Sequence, residues 1–534
     1  MRSRTITTRS PRRRLIALAG ALLVAASTLS ACGGAVGGAA TGSMIDTAGA
    51  PSDPAGRLRI ATYQETPSLD PVRTTVQNGP MIFPVYDTLT TSDADFEPQP
   101  WLATSWSQPR PTTWRFSLRD DAVFHDGSKF DAEAVKLNLD RAREVDGSPH
   151  ANVFGVISSV EVVDPATVDV HFTTPSPNFP DSMATVAGAM ISPKAIREKR
   201  DLTREPAGSG GWIWQKSGHR EGSRHLYKAN PNYWNKDAVR VAEVEIKIIQ
   251  ENNARLNAVQ SGQVDIMSRL GPEQMSWAEG ARLRVLADHT FTGVLAIMDR
   301  KGEKAPALAK PQVRQAIGYL LDREAYDKAL LNGRGDPKGG GFAAAGSKWY
   351  DPALDDLHKP NVDKARRLLA QAGYPDGFTF EVGSQPVIKA QNETIAQLLA
   401  EGGITMKIVD VADGQYTAEL RRGRFPAGYL VPTSVDPYAW WTRSISNRGV
   451  YNPFDLNDLA DLEALYTKAA ATENDDERAS IFSELQKQTV VRGVAFPLSQ
   501  NPRAAALSGE VRAVRQPIFA PDDTSPRPHY LWLR

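Results

Sequence analysis

A chain of 534 residues with 62 basic and 62 acidic side chains has no net charge, and its 41 glycines and 37 prolines speak against a helical bundle. It is too long for one hydrophobic core, so two or three domains are expected. A single cysteine excludes any disulfide within the chain. The first 31 residues hold six arginines, Arg12-Arg13-Arg14 among them, and no acid; without them the balance is 56 basic to 62 acidic, a net charge of −6. That mildly acidic balance argues against nucleic acid as a partner, which takes a basic stripe. A basic head, an apolar run from Leu15 to Leu29 and the small residues Ser30-Ala31 have the outline of an export signal. The run is shorter than the roughly 20 residues a membrane span needs.

The junction Leu29-Ser30-Ala31-Cys32-Gly33 resembles the lipobox of bacterial lipoproteins. The resemblance implies that residues 1–31 are a signal peptide and that Cys32 is lipidated as the mature N-terminus. The protein is then anchored to the outer face of the cytoplasmic membrane, in the cell envelope on its periplasmic or extracellular side. The plainer reading is a secretory signal followed by a stray thiol. Arg12-Arg13 followed by Leu15-Ile16 also reads as a twin-arginine signal, which leaves the export route open. Residues 32–56 contain almost no large apolar side chain and read as a flexible tether.

Folding is expected to begin at Arg57-Leu58-Arg59-Ile60-Ala61, which alternates with the period of a strand. Trp114, Phe116 and Leu118 alternate in the same way, and Asp126-Gly127 is a turn signal. Asp131 to Arg143 has helical spacing, with Ala134, Leu137 and Ala142 on one side. These pieces, with Ser68-Leu69-Asp70-Pro71, Val85-Tyr86-Asp87-Thr88-Leu89 and Phe124-His125-Asp126-Gly127, stand in a characteristic order. Asn230-Pro231-Asn232-Tyr233-Trp234, Gln260-Ser261-Gly262-Gln263-Val264-Asp265-Ile266, Val313-Arg314-Gln315-Ala316-Ile317, Lys364 to Tyr374, Asp436-Pro437 and Phe496-Pro497-Leu498 continue it. Taken together, residues 57–534 resemble the ABC-transporter solute-binding proteins of the peptide, dipeptide and nickel importers (family 5).

The resemblance implies an α/β fold: a two-lobed, periplasmic-binding-protein-like clamp with a hinge. Lobe I would hold 57–292 in two subdomains and lobe II 293–505, with 506–534 returning to lobe I. The crossings near Thr292-Gly293-Val294 and Asn501-Pro502-Arg503 would form the hinge. The clamp would capture a peptide or peptide-like polar solute and present it to ABC permease and ATPase subunits, as a monomer, with no chemical step and no cofactor.

The same analogy puts four segments at the cleft. They contribute Glu65 and Thr66; His150; Ser268 and Arg269; and Tyr429, Leu430, Val431 and Thr433, followed by Trp440. For Glu65 and Thr66 a solvated turn is the alternative, and for His150 an exposed loop. Arg269 either forks onto a carboxylate or phosphate of the ligand or pairs with Glu273. Trp440-Trp441 either stacks on the ligand or belongs to the core. Peptide-binding relatives place an amine-capturing aspartate where this chain has Thr433, and no acid lies between Gly428 and Val435. A buried ammonium without a countercharge is unfavourable by several kcal/mol, so the ligand is expected to lack the usual free-amine contact; the alternative is that Asp436, which the resemblance assigns to shaping a turn, moves in to replace the missing acid. A blocked peptide, a sugar-phosphate, an opine-like molecule or a chelated metal stay open, as does a surface sensor that does not transport.

Eight scattered histidines with no His-x-His pair offer no preformed soft-metal site. Ala207-Gly208-Ser209-Gly210-Gly211 lacks the spacing of a nucleophile elbow, and neither a His-Glu-x-x-His nor a phosphate loop occurs. No enzyme activity and no metal site are expected.

Overall fold

The computed structural model describes residues 45–93, 97–338, 340–343, 345, 347–412, 415–431, 440–446, 452–454, 457–472, 474–514 and 527–534. Lobe I opens with β1 (Arg57–Thr62), the short pair β2 (Thr90–Ser92) and β3 (Pro98–Pro100), and four strands of a separate subdomain. These four are β4 (Ala103–Arg110), β5 (Thr113–Leu118), β6 (Ile157–Asp164) and β7 (Thr167–Phe172). Then follow β8 (Trp212–Trp214), β9 (Arg224–Ala229), β10 (Glu243–Ile248) and β11 (Ile266–Ser268). The long β12 (Arg284–Ile297) leads into lobe II, which contributes β13 (Phe378–Ser384), β14 (Ile404–Asp410) and β15 (Ala427–Leu430). β16 (Ala495–Leu507) leads back, and β17 (Val511–Ala513) and β18 (Leu531–Leu533) pair on lobe I.

The strand order β14-β13-β15-β12-β16-β11-β1-β10-β9-β8 makes one ten-stranded sheet of both lobes. Its middle is the antiparallel β12–β16 ladder, which runs from Arg284 opposite Leu507 to Ala296 opposite Ala495. One core gathers side chains from Leu58 to Ile266 together with Ala505 to Leu531, and a second gathers Val294 to Leu498. A third, small cluster packs the helices Asn252–Gln260 and Pro272–Gly280 on Ala61, Met267 and Ala504. Two cores on one sheet make a two-lobed α/β protein.

The sequence pattern explains the elements of lobe I. In β1, Leu58 and Ile60 are fully buried, while Arg57 and Arg59 pair with acids on either neighbour. Asp265 accepts the Arg59 amide at 2.7 Å and the Arg59 guanidinium at 2.6 and 2.9 Å, which fixes the register of β1 against β11. Asp131 caps the helix Ala132–Glu144 by accepting from the Ala134 amide at 2.9 Å. The buried face of that helix carries Leu139 where the spacing predicts Leu137, which is only half-buried. Asn138 turns inward to hold the backbone of Ile191 at both N–H and C=O, and this shifts the stripe. Gly208 and Gly210 press on Val85, where an added Cβ would come within 2.1 and 2.5 Å of its backbone, so backbone approach explains the glycines around Ser209. The tether reading of 32–56 does not describe residues 45–56. Ile45 bridges Ala513, Trp532 donates to the Asp46 carbonyl at 3.2 Å, and Arg240 holds Pro51. Among the described residues no helix is long and apolar enough to cross a membrane.

Asp87 ties the parts of lobe I together. Its buried carboxylate accepts from Trp101 at 2.8 Å, Tyr233 at 2.7 Å, Trp234 at 3.1 Å and Ser209 at 3.0 Å. Burial pushes its pKa up, and the four donors offset this only in part. Asp87→Ala would orphan several buried donors and is expected to remove about 3 kcal/mol of stability. Urea unfolding at constant slope measures it; a loss under about 1 kcal/mol would show that the donors find other partners.

Candidate functional site

The direction of the strands locates the cleft. β12 runs from lobe I to lobe II and is antiparallel to β16; β16 is antiparallel to β11; and β11, β1 and β10 are parallel. The three lobe I strands therefore point their carboxyl ends toward lobe II. β15 is antiparallel to β12, and β13 and β14 run parallel to β15, so their carboxyl ends point back toward lobe I. Along the ladder, Ser268 lies level with Ala505 and Leu286, and Leu430 lies level with Val294 and Pro497. At ~3.3 Å per residue the two edges are about 25 Å apart along the crossing strands. Open α/β sheets bind ligands beyond the carboxyl ends of their strands, and here two such edges face one gap.

The lobe I edge is made by the loops after β1, β10 and β11. Tyr63, Gln64 and Glu65 follow the central strand, and Arg269 follows β11. Glu65 is half-buried. It receives hydrogen bonds from His225 Nε2 at 2.7 Å and from the amides of Gly222 at 3.0 Å and Thr66 at 2.9 Å. Burial pushes its carboxyl up, but His225 and the two amides outweigh that and hold it below the ordinary range. The Thr66 hydroxyl donates inward to the Ser68 carbonyl at 2.6 Å and meets Thr74 at 3.0 Å. His150 is buried, with Nε2 2.9 Å from the Thr74 carbonyl, and secures the same turn. Ser268 is buried, its hydroxyl 3.4 Å from the Ala61 carbonyl. Arg269 is exposed in a left-handed conformation (φ 59°), with its guanidinium 4.5 Å from the centre of the Tyr63 ring. Among the described residues it has no ion pair with Glu273 or any other acid.

On the lobe II edge, Tyr429 and Leu430 are buried and Val431 is 43% exposed. The Tyr429 hydroxyl lies 3.3 Å from that of Tyr326 and also bonds Asn501 of the crossing strand. Gly293 must lack a side chain there, because a Cβ would meet the Tyr429 hydroxyl at 2.5 Å. Trp440 is buried, stacked on Phe342 with ring centres 3.5 Å apart, so it serves the lobe II core. Thr433 and Cys32 lie outside the described residues. Among the described residues two ion pairs join the lobes: Arg334 forks onto Glu279 at 2.7 and 3.0 Å, and Lys348 reaches Glu97 at 2.5 Å. The structure thus brings Glu65 and Arg269 to one edge and sets Thr66, His150 and Ser268 just beneath it. Tyr63 and Arg255 join this edge from positions with no motif signal; only the strand order reveals them.

Because the folded pKa of Glu65 lies below its ordinary value of 4.5, its contribution is complete above that pH and is lost as pH falls through the lower folded value. Glu65→Gln should therefore be less stable than the parent at about pH 5, with the difference shrinking below about pH 4.5. Urea midpoints across that range measure this; a difference unchanged down to about pH 3 would rule out the ionised Glu65–His225 contact as its source.

Comparison with known proteins agrees with this geometry. Residues 97–452 match the bacterial extracellular solute-binding proteins, family 5 Middle. The glutathione-binding protein GsiB of Salmonella paratyphi A is 30% identical over 328 residues, 58% of this chain and 60% of that protein. The chain thus spans about 60% of the length of the first curated relatives it matches. Among solved structures, AgaA of A. tumefaciens R10 in complex with agropinic acid superimposes with a TM-score of 0.73 at 23% identity, covering 90% of this chain and 99% of that one. DppA of Helicobacter pylori in complex with the peptide STSA gives a TM-score of 0.71 at 20% identity, with 90% and 99% covered. The chain belongs to the bacterial extracellular solute-binding proteins of family 5.

Proposed function

We propose that this protein is the solute-binding component of an ABC importer. It takes a peptide or peptide-like polar solute between its lobes and delivers it to a permease, and Cys32 tethers it to the membrane. The observation that carries this reading is the pair of carboxyl edges facing one gap across two crossing strands. Such a clamp needs no chemistry, since a ligand that touches both walls favours the closed form by its differential affinity for it. The β12–β16 ladder is irregular between His289 and Phe291 and again between Thr292 and Val294. Irregular pairing bends and twists a strand, and we assign the hinge to these two points.

Relatives and neighbours named for glutathione, a short peptide and an opine acid support a small, polar, acid-bearing ligand. The run from Gly428 to Val435 contains no acid, so the amine of a peptide is not the handle. N-acetylated tripeptides are expected to bind within severalfold of their free-amine forms by calorimetry. They should also reduce the radius of gyration in solution scattering. A requirement for a free amine would overturn the ligand reading, and binding without compaction would overturn the clamp. Cys32→Ser is expected to move the protein from the membrane fraction to the soluble envelope fraction; retention in the membrane would exclude the lipid anchor.

A further inference from the structure

Across the lobe I edge the order of residues follows the order of strands. Tyr63 follows the central β1, Arg269 follows β11 on one side, and Arg255 belongs to the helix after β10 on the other. The Arg255 guanidinium is 6.0 Å from the centre of the Tyr63 ring, and Arg269 is 4.5 Å from it. Arg255 is 1% exposed, and its Nη1 donates to the carbonyls of Ile249 and Gln250, both at 2.6 Å. Its Nη2 donates to Asn252 Oδ1, and among the described residues its buried Nε has no acceptor. The helices Asn252–Gln260 and Pro272–Gly280 both begin at this edge, and no side chain caps either N-terminus. Their dipoles add positive potential to that of the two guanidiniums.

Two cations around one ring, with no carboxylate bonded to either among the described residues, is an unfavourable arrangement. Burial and the nearby Arg269 both lower the pKa of Arg255, and Tyr63 and exposed Glu251 offset this only in part. Arg269 also holds a left-handed backbone that glycine would adopt more easily. Such unfavourable features persist where a ligand supplies what is missing.

We propose that this edge is an oxyanion subsite: Arg269, laid on Tyr63 and backed by Arg255, takes a carboxylate or phosphate group of the solute. The inference rests on the cleft reading above, and its test is chosen to stand apart from that reading. Inorganic phosphate is titrated into the purified protein in chloride-free buffer and followed by its 31P line width, with acetate as competitor.

Broadening is expected in the parent and in Arg282→Gln, an exposed arginine of similar backbone conformation. Arg269→Gln should weaken it by about tenfold or more, the worth of a charge-assisted hydrogen bond. Displacement by acetate at comparable concentration marks a carboxylate site, and resistance to acetate marks a phosphate site; either supports the proposal. No broadening in the parent, or equal broadening in Arg269→Gln, overturns the subsite. Failure of every peptide to compact a protein that still binds phosphate at Arg269 would instead overturn the peptide clamp and leave the subsite standing.

Discussion

Everything in this molecule hangs on one antiparallel pair of strands, β12 and β16, shared by two lobes that otherwise have separate cores. A strand that leaves one core and enters another fixes the direction of whatever pairs with it. β11 joins one end of the ladder through β16, and β15 joins the other end through β12. The carboxyl edges then face each other by geometry alone. A different strand sense on either side would place one edge on the outside, and no cleft would form. In the proposed clamp the shared pair must also bend without losing its hydrogen bonds. Its irregularities lie between the levels at which the two lobes attach, which confines bending to the stretch with no flanking strand.

Where physical causes are local, the sequence reveals them. The alternation of Arg57 to Ala61 and that of Trp114 to Leu118 act within a few residues and form as expected, and the Asp131 cap that the structure adds is equally local. The crossing strands are different. β16 contains Pro497 and Pro502, residues that argue against a paired inner strand. β12 has a polar middle, which breaks the apolar pattern. Both strands form because each end of the ladder is buried in its own core, a tertiary cause with no local trace. The cleft residues divide in the same way. Arg269 is legible as the residue after the Val264-Asp265-Ile266 strand. Tyr63 and Arg255 are 206 and 14 residues away from it in sequence, and they join it only because β1 lies between β10 and β11. Thr66 and His150 occupy the expected segments, yet their polar atoms turn inward because the turn they support has its own carbonyls to satisfy.

The charges on the lobe I edge are unevenly treated, and this asymmetry bears on ligand chemistry. The acid, Glu65, already holds three donors, and its negative charge is largely answered by His225 and two amides. The base, Arg269, has among the described residues only an aromatic face. An incoming ammonium would have to compete with donors that Glu65 already holds, while an incoming carboxylate would meet Arg269 donors with no prior commitment among the described residues. Desolvation sharpens the difference when the lobes close, because an unanswered charge loses more on leaving water than an answered one. Closure around a neutral ligand would leave Arg269 worse off, and closure around an anion would leave it better off. On the proposed reading, the electrostatics that orient the solute also favour the closed clamp only when an acid-bearing solute is inside it, and discrimination and closure become one event.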